Sequence, residues 1–89
     1  MEIEFDPTKD AANRAKHGVS LILGAILLEN RIGEVVDVRR DYNEPRFNVF
    51  GLVAGRLFVG TFTMRGEVFR VISVRKASKQ EQRRWRRSE

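Results

Sequence analysis

Gly66-Glu67-Val68-Phe69-Arg70-Val71-Ile72-Ser73-Val74-Arg75-Lys76-Ala77-Ser78 reads as the last strand of a sheet running straight into a basic terminal helix. Side chains alternate along a strand. Regular pleating therefore predicts Arg70, Ile72 and Val74 on one side and Phe69, Val71, Ser73 and Arg75 on the other. Each face then mixes core with guanidinium. The run is rich in Val, Ile and Phe, which predicts a central strand, and a central strand has few ways to keep a long cation wet. The arginines either snorkel off the strand ends along their alkyl stems or line a concave surface where an anion replaces water.

Downstream, Ser78-Lys79-Gln80-Glu81 spells a capping box for the terminal helix. Trp85 is the one large apolar residue beyond it, and a free helix of this length is marginal in water, so the helix docks through Trp85 or frays. Upstream, Met64-Arg65-Gly66 reads as a turn. Residues 47–53 and 56–63 form two strands joined by a tight hairpin at Ala54-Gly55. Gly51 and Gly60 fall inside these strands, where glycine implies a close approach to the backbone or a bend. After a break at Arg31-Ile32-Gly33, residues 34–40 read as another strand with Val36 and Val38 inward, followed by a polar turn through Asp41-Tyr42-Asn43-Glu44-Pro45-Arg46. Strands two to five then make an antiparallel meander.

Near the start, Glu2-Ile3-Glu4-Phe5 reads as a short edge strand. Asp6 is a helix N-cap with Pro7 in the first turn, and the helix runs to about Lys16 with Ala11, Ala12 and Ala15 inward and a stop at Gly18. Ser20 opens a second helix to Leu28 or Glu29 that is apolar on almost every side, so it is core or it awaits a partner. The fold class is α+β: a curved antiparallel sheet of four to five strands, two N-terminal helices and a short basic C-terminal helix, in a single domain over residues 1–89.

The 89 residues suffice for one core and leave no second lobe for a deep cofactor cleft, so no cofactor is expected. Of the 17 cations 13 are arginine, the residue suited to forked grips on phosphate or carboxylate. The net charge of +5 is concentrated in residues 75–87, which hold seven cations against Glu81 alone, so a polyanion, an acidic protein or a solvated tail is implied. Absent cysteine removes thiolate chemistry. Together with a leading segment that has no basic or apolar run, it points to the cytoplasm. The longest apolar stretch, 19–28, is about half a membrane span, so no membrane partner is expected. His17 is the single imidazole, which rules out a multi-histidine zinc site within one chain.

Metal-free RNA cleavage requires deprotonating a 2′-hydroxyl, stabilising extra negative charge on phosphorus and protonating the departing oxygen. Arg46, Arg70, Arg75 and Lys76 can hold phosphate, His17 titrates near neutrality, and Glu44 can act as a base or orient an arginine. Each also has a plainer role. His17 can close a helix, Glu44 can be a turn acid beside Arg46, Lys16 an exposed cation, Ser73 a small packing residue and Trp85 a helix anchor.

The ordered set Phe5-Asp6-Pro7, Asn13, Lys16-His17-Gly18-Val19-Ser20, Asp37, Asp41-Tyr42-Asn43-Glu44-Pro45-Arg46-Phe47, Gly51, Gly55-Arg56, Thr63-Met64-Arg65-Gly66, Arg70-Val71-Ile72-Ser73-Val74-Arg75-Lys76-Ala77 and Glu81-Gln82-Arg83-Arg84-Trp85 resembles the BrnT family of ribonuclease toxins from type II toxin–antitoxin systems. The likeness spans nearly the whole chain. It implies a RelE-like fold and a metal-independent endonuclease that cuts RNA and halts translation. It also implies neutralisation by a BrnA-like ribbon-helix-helix antitoxin, in a heterotetramer that reaches operator DNA only through the antitoxin. By the same resemblance Arg70, Arg75, His17 and Glu44 are the catalytic candidates, with Lys16, Arg46, Ser73 and Lys76 contacting RNA. The chain departs from the family at Phe5 and Trp85, where Trp and Tyr are usual, and at Leu21-Ile22-Leu23-Gly24, where Phe and acids are usual. The last departure adds apolar area to helix two and predicts wider contact with a partner and self-association of the isolated protein. The competing class is a non-catalytic nucleic-acid- or antitoxin-binding module.

Overall fold

A computed structural model describes residues 2–37 and 44–86. The elements are β1 (Ile3–Glu4), α1 (Pro7–His17), α2 (Leu23–Glu29), β2 (Arg31–Asp37), β3 (Arg46–Val53), β4 (Arg56–Arg65), β5 (Val68–Lys76) and α3 (Lys79–Arg86). The five strands form one open mixed sheet in the order β1-β5-β4-β3-β2. β2 to β5 make the expected antiparallel meander, while β1 joins β5 in parallel and supplies the mixed character. The fold is α+β, as the residue pattern predicts.

Alternation along β5 does not hold. Ser73 faces Thr61 but Val71 faces Phe62, so Ile72 is the extra residue of a β-bulge. The bulge resets which side each residue points to. Val71 and Val74 both enter the core beneath the helices with Phe58, Phe62, Leu21 and Leu27, while Arg70, Ser73 and Arg75 turn to the other face. The expected mixture of core and guanidinium on both faces is thereby corrected. β5 is also less central than its composition predicts, because β1 covers only its first half. Along the second half, the Asn13 side chain takes the place of a strand: its Nδ2 donates to the Val74 carbonyl (2.9 Å) and its Oδ1 accepts from the Val74 amide (3.2 Å).

Asp6 caps α1 by accepting from the Thr8 amide (2.8 Å), and Gly18 ends it in the left-handed conformation at φ 76°. The inward side differs from expectation: Ala11, Ala12 and Ala15 are exposed, and Asp10 and Asn13 are the buried residues. Three alanines offer little area, whereas Asp10 accepts from the Leu21 amide (2.7 Å) and the Ser20 hydroxyl (2.9 Å), so polar bonds fasten α1. Ser20 holds a turn before α2, which begins only at Leu23.

α2 sits close to the sheet where glycine permits it. A Cβ at Gly51 would lie 2.9 Å from the Asn30 carbonyl, and one at Gly60 would lie 2.9 Å from Leu27. α2 packs on β3, β4 and β5 and α1 on β5, so on this face the edge strand β2 has little helical cover. Val36, expected inward, shares the face of Phe47 but is 65% exposed for that reason. β2 itself begins at Arg31, and the expected strand residues 38–40 with the turn residues 41–43 lie outside the described residues. Among the described residues no helix is long and apolar enough to cross a membrane.

The capping box forms in full, with the Ser78 amide donating to Glu81 (2.8 Å) and the Glu81 amide donating to the Ser78 hydroxyl (3.1 Å). Trp85 then stacks on Phe50 with ring centroids 4.8 Å apart, next to a second core of Phe50, Leu57, Val59 and Ala77. Gly33 makes this possible, since a Cβ there would overlap the indole.

Candidate active site

The face turned away from α1 and α2 carries three successive rows of side chains. Cross-strand partners share a face, so the register defines each row. The first is charged: Asp37 on β2, Arg46 on β3, Thr63 on β4, Arg70 on β5 and Glu4 on β1. The second is polar beyond Val35 on β2: Asn48, Thr61 and Ser73, with the Thr61 hydroxyl donating to Asn48 Oδ1 (2.7 Å). The third is aromatic and cationic: Phe50, Val59 and Arg75, with Trp85 resting on Phe50. Thr63 and Val59 are four residues apart on β4, which puts the outer rows about 13 Å apart at the backbone.

Two acids from distant parts of the chain grip the arginines. Arg70 Nη1 donates to Glu4 Oε2 (2.6 Å), within a side chain that is 22% exposed. Arg75 donates through Nη1 and Nη2 to both oxygens of Glu81 (2.8 and 2.9 Å), a forked pair that fixes the guanidinium plane. Those bonds, with the Ser78 amide, pull the Glu81 carboxyl down to about 2 against the opposing effect of burial. Glu81 stays ionised through the physiological range as a result.

His17 closes α1 and is half-buried. Burial, then the charges of Lys16 and Arg75, push its imidazole below the ordinary value, so it is neutral at pH 7 and able to accept a proton. Lys16 is exposed beside it. Glu44 lies at the opposite end, where its Oε2 accepts from the Thr63 hydroxyl (3.3 Å) and its Oε1 faces Arg65 at 3.6 Å. Thr63 donates more closely to the Pro45 carbonyl (2.6 Å).

The fold thus brings Arg46, Arg70, Ser73 and Arg75 to one surface, with Glu44 at one margin, while His17 ends α1 within reach of the Arg75 charge. Lys76 is not brought there; it points to the helix side, opposite Phe58, and is exposed. Residue-type reasoning passed over Asn48, Thr61, Glu4 and Glu81 as members of this surface. The polar period-two stripe 46-48 on β3 and 61-63 on β4 was a readable signal for the first two. The two acids become visible only with the register.

No curated protein matches the chain. The family model described as "Ribonuclease toxin, BrnT, of type II toxin-antitoxin system" matches residues 5–81, a span that takes in both N-terminal helices, β2 to β5 and Glu81. With the greater part of its length matched, this chain belongs to the BrnT family of ribonuclease toxins of type II toxin–antitoxin systems.

Proposed function

We propose that this toxin is an endoribonuclease whose active surface is the three-row face, and that it works without a metal ion because guanidinium groups neutralise the charge that develops on phosphorus. The 2′-oxygen loses its proton and attacks phosphorus, the bond to the 5′-oxygen breaks, and that oxygen takes up a proton. The products are a 2′,3′-cyclic phosphate and a free 5′-hydroxyl. Arg70 and Arg75 hold the phosphate backbone, and Arg46 adds to the charged row. Neutral His17 accepts the 2′-hydroxyl proton, and Glu44 handles the second proton or orients an arginine. Ser73 contributes a hydroxyl between the arginines; Lys16 and Lys76 add long-range attraction.

The observation that supports this reading is the bulge at Ile72, which puts Arg70, Ser73 and Arg75 on one face with Arg46. In the cell, the proposed consequence is arrest of translation in the cytoplasm. Neutralisation comes from a BrnA-like ribbon-helix-helix antitoxin in a heterotetramer, and operator DNA is contacted only through that partner. Induced expression tests the site: Arg70→Ala and Arg75→Ala should abolish growth arrest while still copurifying with the antitoxin. Growth arrest undiminished in both variants removes the assignment.

A second reading draws on the ion pairs themselves. Because Glu4 and Glu81 already engage Arg70 and Arg75, these arginines can serve as sheet-to-terminus ties in a module that binds nucleic acid or antitoxin without cutting. Cleavage ends separate the two. Cyclic phosphate and 5′-hydroxyl termini on RNA incubated with purified protein in EDTA support the nuclease, and intact RNA supports the binding module.

A further inference from the structure

On the far side of α3 from the arginine rows lies an open groove of about 530 Å³, a size common among sites that hold a ligand. Its walls are Ile32 at the irregular start of β2, Leu52 and Leu57 at the hairpin end of β3 and β4, and Trp85 and Gln82 from α3, with Arg56 at one end. Ile32 and Leu52 are each 45% exposed. No acidic residue is among the lining residues. Arg84 stands over the indole at 5.6 Å, so Arg56 in the lining and Arg84 on Trp85 set two cations beside the apolar side chains of the groove.

These features select the occupant. A nucleic-acid base would need an open ring face, but Trp85 already stacks on Phe50 and carries the Arg84 guanidinium 5.6 Å from its ring centroid. A second copy of this chain would bring another +5 against Arg56 and Arg84. Aliphatic walls with a cationic margin suit a helix or strand that presents Leu, Ile or Val on one side and Asp or Glu on the other. Type II systems pair the toxin with a protein antitoxin, so a partner able to supply such a segment is implied by the family.

We infer that this groove docks an acidic amphipathic segment of the antitoxin. The inference rests on the family assignment and not on the RNA chemistry proposed above. α3 then has two sides with two jobs: Glu81 reaches toward Arg75 while Gln82 and Trp85 line the groove. A segment seated there lies beside the active surface and leaves the three rows to be covered by the remainder of the antitoxin.

The test uses the full chain and the purified product of the adjoining antitoxin reading frame, with RNA absent, so that a toxin that binds without cutting still gives an answer. Ile32→Glu and Leu52→Glu should each weaken binding by about 30-fold or more, as expected at the centre of an interface. Arg56→Glu should weaken it less and reduce its salt dependence. Lys9→Ala, on exposed α1, serves as control. Amide shifts of the wild-type chain on titration provide a reading free of any folding defect, and they should concentrate at Leu52, Gly55, Leu57, Gln82 and the Trp85 indole. Wild-type affinity in both glutamate variants, or shifts confined to Ile22 and Ile26 at the start of α2 and on it, overturns the inference.

Discussion

Asn13 is the residue on which the junction of α1 and the sheet depends. Its amide donates to the Val19 and Val74 carbonyls and its oxygen accepts from the Val74 amide, bonding the strand just past the bulge. Asn13→Ala leaves buried backbone groups of Val74 without partners and should cost about 2–4 kcal/mol, read by chemical denaturation. A loss under about 0.5 kcal/mol would mean that water replaces the amide. His17 yields a different kind of prediction. Its pKa is lowered in the folded protein, chiefly by burial, so the unfolded chain binds the proton more readily. Stability is therefore full above the ordinary imidazole range and declines as pH falls through it. Cleavage should decline at lower pH still, as the folded-state imidazole takes up its proton, because a protonated ring accepts nothing. His17→Asn should flatten that acid limb of the rate profile, and an unchanged limb would assign it to another group. At this scale the sequence was legible wherever a residue acts on its immediate neighbours, as at Asp6, Gly18 and Ser78. It was silent on what Asn13 bonds, since its key partner is 61 positions away.

The elements were read correctly in kind and order, and the misreading of the faces of β5 has a definite cause. Period-two alternation assumes a ladder without irregularity, yet β5 carries a bulge at Ile72 and β2 shifts register between Arg31 and Gly33. Five positions separate Arg70 from Arg75, an odd number that regular pleating sends to opposite faces. One extra residue reverses that outcome. α1 illustrates the complementary error, because its alanines suggested an apolar inner side where hydrogen bonds do the fastening. α3 was legible from its capping box and its lone tryptophan, but the seat for that tryptophan was not. Gly33 supplies the seat: Gly33→Ala should push the indole off Phe50, release α3 and destabilise the protein by about 1–3 kcal/mol. Tryptophan fluorescence should shift to the red. An unshifted spectrum would show that the helix can re-dock around the methyl group.

For the molecule as a whole, the sheet separates two tasks. One face is closed by α1 and α2 over an apolar core; the other carries the charged row, in which Glu4 holds Arg70 and both Asp37 and Thr63 are buried, and α3 lies over its far end. Ile22, just before α2, and Ile26 on it lie four positions apart and are both exposed. The isolated toxin should therefore associate at high concentration, and Ile26→Glu should shift light-scattering mass toward the monomer. A wild-type monomer across the concentration range would contradict this. The fold class and the family were open to sequence reasoning because both follow from local signals in order along the chain. The composition of the surface was not, since its rows run across five strands and include acids from both ends of the chain.

The claim that these rows cut RNA is tested most directly by single-turnover cleavage of a labelled RNA with purified Arg70→Ala, Arg75→Ala and, as control, Lys9→Ala. The account predicts that both arginine variants lose about 100-fold or more in rate, as removal of transition-state charge stabilisation requires, while the control stays within about threefold of wild type. Wild-type rates in both arginine variants would contradict it.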